Sequence, residues 1–391
     1  MKLVVIGFGQ CGSRVADEFA RLNRKARSLR GIEIITGAFA VNTDSADLSG
    51  LSSIKSDYQH RVLIGGRRTG GHGVGKINEL GAEIAREDGD KVIEAIRTTP
   101  RFFESDAFLL VASAGGGTGS GTIPIATQLI KERYADKPVY NLIVLPFEHE
   151  ETTEQRTVFN TATCLKSANS VADAIFLIDN QRYIRKDSSL RNNLARINAM
   201  IVAPFYNLLC AGEEKKAKYV GAKTLDAGDI MQTLRGWTVI GYGKSQLAQL
   251  RLPFVRSRDF HKKSTEIHKG IEAMDEAIGE LSLKCNPADA GRALYLVSAP
   301  AKELHMEMIK ELGDYLRSVA SGAVIRNGDY PRERALVDVT VLLSEFGDVE
   351  KIRRYYTESA SLIPAMQRRQ DEIESKLQGI DESSKDIPSL L

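Results

Sequence analysis

Cysteine is scarce in this sequence, and the marks of a secreted chain are missing as well. Its 391 residues contain only 4 cysteines, which lie far apart and form no CxxC pair. We therefore expect neither a disulfide framework nor a zinc site, and a reducing cytoplasm fits best. The N-terminus has no signal-peptide layout. No apolar run approaches the roughly 18 residues of a membrane span, so we expect no transmembrane segment.

An excess of one charge is also missing. Lysine and arginine number 53 against 51 aspartates and glutamates, which gives a net charge of +2. Nothing in this balance attracts nucleic acid or an anionic membrane. The 42% of hydrophobic residues is ordinary for a globular protein. At about 150 residues per domain, the length predicts two or three domains.

Short apolar segments alternate with amphipathic helices through the first part of the chain. Such segments, bounded by turn residues, are typical of buried parallel strands. The alternation predicts a doubly wound α/β domain over residues 1–188. The strand candidates begin at Lys2, Ala38, Arg61, Ala107, Val139 and Ala174.

The rest of the chain divides into three further regions. A long apolar helix is predicted over 189–213, and Pro204 should kink or interrupt it. Residues 214–346 have the pattern of a second, α+β domain with four strands and a helix near 266–283. In the last region, 347–391, a charged helix is predicted over 349–378. The polar tail beyond it is expected to be disordered until its last few residues.

A glycine-rich loop follows one of the predicted strands. We call the stretch "SAGGGTGSGT", Ser113–Thr122, the fourth loop, because the three other loops described below precede it in the sequence. Glycine allows close backbone approach, and the N-terminus of the following helix favours anions. The Thr118 and Ser120 hydroxyls can add donors. A flexible linker is the alternative, but it would not stand between an apolar strand and a helix with Pro124 near its start. The loop therefore predicts a phosphate site.

Two more glycine loops link strands to helices. The first loop, "IGFGQCGS" from Ile6, contains the spacing G-x-G-x-x-G, which also occurs in NAD-dependent oxidoreductases. Those enzymes have an acidic residue about 20 positions on, whereas the second loop, Asn42–Asp44, comes some 30 positions later. The third loop, "GGRRTGGHGVG", spans 65–75. Three glycine loops at one sheet edge suit a polyphosphate. Arg67, Arg68 and His72 either meet its terminal phosphate or are solvated loop charges.

Together these motifs resemble the tubulin/FtsZ superfamily of GTPases. The matching segments are "GQCG" at 9–12 and "GGGTGSG" at 115–121, with "GGHGVGKINELGAEIA" and "INAMIVAPFYNLLCAGE" most similar to CetZ, the archaeal branch linked to cell shape. The resemblance runs from Lys2 to about Ser245. It implies a Rossmann-like GTPase domain, a central helix and an α+β C-terminal activation domain. It also implies binding of GTP and GDP, with Mg²⁺ expected, and head-to-tail polymerisation.

The resemblance also implies a set of nucleotide contacts. A carboxamide suits guanine because it offers both a donor and an acceptor. The alternative for the two asparagines is that Asn180 caps a helix and Asn198 faces solvent. FtsZ has an arginine four residues after its ribose-binding acid, where this chain has Glu154, and Arg156 lies two further on. The implied contacts are Gly9, Gln10, Cys11 and Gly12 of the first loop, Asn42 and Asp44 of the second, Gly71 and Gly73 of the third, Gly115, Gly116, Gly117, Thr118, Gly119 and Ser120 of the fourth, Glu150 for the ribose, and Asn180 and Asn198 for the base.

Two further segments resemble functional parts of the family. "TLDAGDIMQTL" from Thr224 is similar to the loop that carries catalytic acids, which implies that Asp226 and Asp229 orient the attacking water of a neighbouring subunit's nucleotide. Helix N-capping is the alternative. "DIPSLL", 386–391, resembles the FtsZ peptide that docks on membrane adaptors. The alternative is that its terminal pair of leucines occurs by chance and has no docking function. A NAD-dependent oxidoreductase and a nucleotide-binding regulator that never polymerises remain as alternative functions.

Overall fold

The computed structural model describes residues 1–184, 190–247 and 259–385, together with Ile387. Its first part holds six parallel strands, which confirms the doubly wound α/β expectation. Their order in the sheet is β3-β2-β1-β4-β5-β6. These strands are β1 (Leu3–Phe8), β2 (Ile35–Asn42), β3 (Arg61–Leu63), β4 (Ala107–Ser113), β5 (Val139–Leu145) and β6 (Ala174–Asp179).

Helices cover both faces of this parallel sheet. Burial on both faces explains why the strands are almost continuously apolar, as β1 illustrates with six buried residues out of six. The helices are α1 (Gly9–Arg30), α2 (Ser45–Ser49), α3 (Gly66–Thr69), α4 (Asn78–Glu87), α5 (Gly89–Arg97), α6 (Thr118–Arg133), α7 (Glu148–Thr153) and α8 (Gln155–Val171).

The later part of the chain supplies the central helix, four strands and the remaining helices. The four strands predicted for the second domain are all present. The elements are α9 (Leu190–Val202), α10 (Phe205–Ala211), α11 (Ala227–Thr233), β7 (Gly236–Gln246), α12 (Asp259–Gly279), β8 (Ala290–Ala299), α13 (Met306–Val319), β9 (Val324–Pro331), β10 (Leu336–Phe346) and α14 (Glu350–Ser384).

All ten strands form one continuous sheet. Strand β7 pairs in parallel with β6, with Ala174 opposite Gly236, and β10 lies antiparallel between β7 and β8. Strand β9 completes the edge in parallel with β8. The two predicted domains are therefore joined through their sheets as well as through the central helix.

The central helix is interrupted at Pro204, as predicted. Helix α9 ends at Val202 and α10 begins at Phe205, because proline has no N–H to donate and its ring clashes with the preceding turn. The Phe205 ring lies edge-on to Phe19 of α1 at 5.3 Å and to Phe176 of β6 at 5.2 Å. These contacts anchor α10 between the first helix and the sheet.

The same segment corrects one expectation. Residues Asn193–Ala211 are long and apolar enough, by length and composition, to cross a membrane, so the statement that no such run exists was wrong. The structure buries 61% of this stretch inside the fold. Its apolarity is explained by packing against α1 and the sheet, because a helix that is covered on several sides needs apolar residues around much of its circumference.

The C-terminal helix is longer than predicted. Helix α14 continues through Gly379 to Ser384, so the beginning of the tail is helical and not disordered. A glycine within a helix costs only about 1 kcal/mol, which the flanking helix-forming residues offset. At its start, α14 docks on the first domain through Lys351, which pairs with Asp179 at 2.8 Å, and Arg354, which pairs with Glu151 at 2.7 Å. Of the segment 386–391, only Ile387 lies within the described residues.

Candidate nucleotide site

An open cleft lies at the carboxyl ends of β1 and β4. The strand order reverses between these two strands, and in open α/β sheets such a switch point is where ligands bind. The cleft measures about 870 Å³ when the solvent at its mouth is counted.

Twelve of the predicted contact residues line this cleft. The sequence did not single out the other lining residues, which are Phe8, Asp47, Lys76, Ser113 and Thr157. The predicted residues found in the lining are Gly9, Gln10, Cys11, Asn42, Asp44, Gly73, Gly115, Gly116, Gly117, Thr118, Gly119 and Glu150.

Three predicted loop residues lie next to the cleft but outside its lining. Gly12 lets α1 approach β4, because a Cβ there would be 2.2 Å from the Val111 carbonyl oxygen. The Ser120 hydroxyl donates to the backbone carbonyl of Gly116, so this donor is already used. The carbonyl of Gly71 accepts a hydrogen bond from Ser45 N at 3.0 Å and so ties the third loop to α2.

The glycines of the fourth loop serve different purposes. A Cβ at Gly117 would be 2.8 Å from the Cα of Lys76, and one at Gly119 would be 2.9 Å from the Phe8 carbonyl oxygen. Both positions are therefore glycine because neighbouring loops pack against them. A Cβ at Gly116 would meet nothing within 4 Å. Gly116 is the position of the three where bare backbone faces open space in the cleft.

Side chains hold the loops together. Asn160 of α8 is fully buried, and its Nδ2 donates to the Lys76 carbonyl at 2.9 Å and to the Gly116 carbonyl at 3.1 Å. The hydroxyls of Thr43 and Thr118 are 2.6 Å apart and join the second loop to the fourth. Sequence reasoning missed Asn160, because a single asparagine within a helix carries no recognisable pattern.

Carboxylates occupy one side of the cleft. Asp44 caps α2 by accepting from Ala46 N at 2.9 Å. Asp47 accepts from Gln10 Nε2 at 2.6 Å and from Asn42 Nδ2 at 3.1 Å. The predicted amide residues of the first two loops are thus held in place by an acid that the sequence analysis did not select.

The cation in the cleft lining is Lys76, which directly follows the third loop. Its ammonium group pairs with Glu154, the residue that stands where FtsZ has its arginine. The basic residues of the third loop, for which the sequence left phosphate contact and solvation as alternatives, lie outside the lining. Arg68 pairs with Glu83 and Glu87, each at 3.0 Å. Arg67 and His72 are exposed and outside the lining.

Arg156 also lies outside the lining. Its guanidinium pairs with Glu79 of α4 and stacks over the Phe159 ring at 5.3 Å. Both contacts hold the guanidinium between α4 and α8, outside the cleft lining.

Two uncharged groups complete the cleft. Burial raises the pKa of the Cys11 thiol to about 12, and the nearby Glu150 carboxylate adds to the increase, so this thiol is neutral at physiological pH. The Thr157 hydroxyl is buried in the lining and has no hydrogen-bond partner within the described residues. Because the hydroxyl oxygen is itself buried, Thr157 lines the cleft with its other atoms, and the oxygen is not open to a ligand there.

The two asparagines assigned to the base lie beyond the phosphate loops. Asn180 follows β6, but Asp179 is the residue that caps the short turn, accepting from Gln181 N at 3.1 Å. Asn198 is only 9% exposed and does not face solvent. Helix α9, which carries Asn198, packs against the turn that begins at Asn180. The capping and solvent interpretations therefore do not describe these residues.

The two acids of the second domain lie apart from the cleft of their own chain. Asp226 caps α11, with its Oδ1 accepting from Asp229 N at 2.9 Å, so the capping interpretation is correct as far as it goes. Asp229 is half-exposed, and its carboxylate is 3.8 Å from Arg326. Neither residue lines the cleft.

Both halves of the chain match models of known families. Residues 2–186 match the GTPase domain of the tubulin/FtsZ family, and residues 187–361 match the C-terminal domain of tubulin-like CetZ. The tubulin-like protein CetZ1 of Haloferax volcanii is 35% identical over 367 residues, which is 90% of each chain. Another relative is the tubulin-like protein CetZ of Thermococcus kodakarensis, at 30% identity over 100% of this chain and 95% of its own.

Solved structures agree with these matches. CetZ1 from H. volcanii as a GDP-bound monomer superposes with a TM-score of 0.78 and 32% identity, covering 92% of this chain and 99% of that one. CetZ2 from the same organism, solved as a GTPγS-bound protofilament, gives a TM-score of 0.81 and 27% identity, with 94% and 100% covered. These matches give no support to a NAD-dependent oxidoreductase.

Proposed function

Because the chain belongs to the CetZ branch of the tubulin/FtsZ family of GTPases, we propose that it binds GTP in the cleft and assembles head to tail into protofilaments. Hydrolysis is completed at the contact between subunits. The observation that supports this assignment is that the phosphate-binding loops and the two acids lie in different places on the chain. The phosphate loops line one cleft, while Asp226 and Asp229 lie outside it on the second domain.

The cleft fits a nucleoside triphosphate in two respects. Gly116 leaves open space for close approach of an anion, and the N-terminus of α6 adds a partial positive charge there. Glu150 uses Oε2 to accept from Phe147 N at 2.9 Å, which fixes the carboxylate so that Oε1 can accept from a ribose hydroxyl.

Guanine is the base we propose for Asn180 and Asn198. Both side chains are largely buried and have no hydrogen bonds to other described residues. Each carboxamide can therefore offer a donor and an acceptor to the base.

Mg²⁺ is the ion we propose alongside the nucleotide. Within the described residues there is no group of three metal-ligating side chains, so a metal cage made by protein alone is not available there. Mg²⁺ commonly uses only one or two carboxylates together with phosphates and water, and Asp44 and Asp47 line the cleft. It would neutralise charge on the phosphates.

Asp226 and Asp229 act on the water that attacks the terminal phosphate of the neighbouring subunit's nucleotide. A carboxylate accepts the proton or orients the water, which contributes about 10²–10⁴-fold to a hydrolytic rate. The chain's own part is to hold this loop rigidly. Asp329 does so by accepting from Ala222 N at 3.0 Å and from Lys223 N at 2.6 Å.

In the cell, we propose a cytoskeletal role in shape or division, in the cytoplasm, with no nucleic-acid partner. The segment 386–391 is proposed as a docking peptide for a membrane adaptor, which would recruit filaments to the inner face of the membrane.

The test is GTP turnover per subunit measured against protein concentration, with light scattering in the same samples. Turnover should be near zero below a critical concentration and rise as scattering appears. Asp226→Asn should bind GTP and polymerise while hydrolysis falls by about 10²–10⁴-fold. Asparagine caps helices as well as aspartate does, so a loss in this variant is not caused by a missing cap. Asp314→Ala, an exposed acid paired with Arg317 on α13, is the control.

The second part of the experiment mixes two inactive variants. Asp226→Asn has an intact cleft and Gly116→Val an intact acid loop, so co-assembled filaments should recover part of the activity that each lacks. Turnover independent of concentration, or no recovery in filaments that contain both variants, would contradict a shared site. GTP turnover without any scattering would instead favour the non-polymerising regulator.

A further inference from the structure

A second pocket lies between the two halves of the chain. It opens where α1, the break between α9 and α10, β7 and the β9–β10 turn meet, and it measures about 890 Å³ with the solvent at its mouth. It shares no lining residue with the nucleotide cleft. We call it the basic pocket, after four of its lining residues: Arg21, Lys25, Arg332 and Arg334.

Three of these cations have no carboxylate partner. Arg21 pairs with Glu18, but within the described residues no acid lies within ion-pair distance of Lys25, Arg332 or Arg334. Aromatic rings support two of them instead. The Lys25 ammonium is 4.7 Å from the centre of the Tyr206 ring, and the Arg332 guanidinium lies 5.7 Å from the same ring.

The acid at the base of the pocket does not supply the missing partner. Asp338 is only 6% exposed and accepts from Asn207 Nδ2 at 2.6 Å, and Asn207 Oδ1 in turn accepts from Arg332. Burial raises the pKa of Asp338 to about 6, partly opposed by Arg332. Four cations thus face two carboxylates, Glu18 and Asp338, of which one is already paired and the other buried.

The positive charges of the pocket repel one another. Partial burial lowers the pKa of Lys25, and the neighbouring charges of Arg334, Arg332 and Arg21 lower it further. Uncompensated positive charge in a partly desolvated concave site is the condition under which an anion gains most from binding. The wall between the cations is apolar, formed by Leu22, Val202, Ala203 and the Tyr206 ring.

We propose that the basic pocket binds a small organic phosphate, an anion that carries its dianionic group on an apolar ring or chain. The phosphate contacts Lys25, Arg332 and Arg334, and the apolar part packs against Leu22 and Tyr206. The concave shape favours a small molecule over an extended polyanion. Because α1 belongs to the GTPase domain and the β9–β10 turn to the second domain, the bound ligand would hold the two against each other.

Pyridoxal 5′-phosphate is a suitable probe, because it reports both the anion site and its lysine. The amine nitrogen of Lys25 adds to the aldehyde carbon, water leaves, and borohydride then delivers a hydride to the imine carbon. The product is a stable secondary amine that peptide mass spectrometry locates. The experiment uses the full chain saturated with GDP, so that the nucleotide cleft is blocked.

Lys25 should be labelled at least about tenfold faster than Lys215 and Lys216, the worth of one charge-assisted hydrogen bond. Pyridoxal, which lacks the phosphate, should show no such preference. Inorganic phosphate should slow labelling by pyridoxal 5′-phosphate.

Variants separate binding from simple amine reactivity. Arg334→Gln, an exposed side chain, should reduce labelling of Lys25 by pyridoxal 5′-phosphate and leave labelling by pyridoxal unchanged or slightly slower. Arg24→Gln, on the same helix but outside the pocket, should change neither. Equal preference for Lys25 with both aldehydes would mean that its lowered pKa alone explains the reactivity, and would overturn the proposal. Labelling of Lys25 no faster than that of Lys215 would do the same.

Discussion

Lys76 and Glu154 should have opposite effects on nucleotide affinity. Lys76 lines the cleft, and its ammonium is paired with Glu154, which lies outside the lining. A phosphate group would compete with Glu154 for the same ammonium. Removing the competitor with Glu154→Gln should therefore strengthen GTP binding, whereas removing the cation with Lys76→Met should weaken it.

The sizes follow from the exposure of the pair. The two side chains are 42% and 43% exposed, so solvent screens their attraction and an ion pair of this kind contributes about 0.2–1 kcal/mol. Glu154→Gln should then raise GTP affinity by no more than about fivefold. Lys76→Met loses a charge-assisted hydrogen bond to phosphate, which is worth about 1.5–3 kcal/mol, or about 10–150-fold in affinity.

The assay is equilibrium binding of a fluorescent GTP analogue below the concentration at which scattering appears, so that assembly does not contribute. Both variants should change the affinity for GTP more than the affinity for GDP, because GDP has one phosphate group fewer and so carries less negative charge. Lys218→Met and Glu333→Gln form the control. That lysine–glutamate pair has an N–O distance of 2.7 Å on the second domain, far from the cleft lining, and its loss should leave affinity unchanged.

Weaker binding in both Lys76→Met and Glu154→Gln would refute this reasoning, because it would mean that the pair only holds the loop in shape. Lys76 has a backbone φ of 62°, a left-handed conformation that is uncommon outside glycine, so the loop conformation needs a separate check. Thermal unfolding of the Lys76→Met variant, which keeps a side chain of similar length, supplies it. An unchanged melting temperature assigns any loss of affinity to the missing charge.

Three further outcomes are expected. Gly116→Val should keep its melting temperature, because a Cβ there meets nothing within 4 Å, and should lose GTP affinity in a binding titration; Gly117→Ala should lower the melting temperature instead, since its Cβ would be 2.8 Å from Lys76 Cα. Asn198→Asp should shift the ratio of GTP to XTP affinity by about 1–3 kcal/mol, and an unchanged ratio would mean that this residue does not contact the base. A chain ending at Lys385 should keep GTPase activity and assembly but lose localisation in cells, and normal localisation would make the terminal leucines accidental.

The sequence was informative where a pattern is local. Every strand of the first domain contains a short apolar run with a turn at its end, so its presence could be predicted from the local pattern. Strand β2 begins at Ile35, before the predicted start at Ala38, because Thr36 and Gly37 interrupt its apolar run. The cleft followed from glycine loops at the ends of those strands, and Pro204 marked the break in the central helix. Each of these features depends on residues within a few positions of one another.

What the sequence did not reveal depends on contacts between distant residues. The parallel pairing of β6 with β7 joins Ala174 to Gly236 across the central helix, and no local signal specifies it. Lys76 and Glu154 are 78 positions apart. The sequence analysis left open whether Arg67, Arg68 and His72 of the glycine loop meet phosphate or are solvated, because only the folded loop determines which basic side chain lines the cleft.

The glycines of the phosphate loops suggest why hydrolysis depends on assembly in the proposed mechanism. Gly9 has a φ of +68°, and a Cβ there would be 3.0 Å from Gly119 N, so the first and fourth loops already pack against each other. The acid loop is held just as firmly by the hydrogen bonds to Asp329. In that mechanism a neighbouring subunit brings the two preformed parts together, because Asp226 and Asp229 lie outside the cleft lining of their own chain. Loosening the acid loop with Asp329→Asn should therefore lower turnover in filaments while leaving GTP affinity unchanged, because the cleft does not depend on that residue.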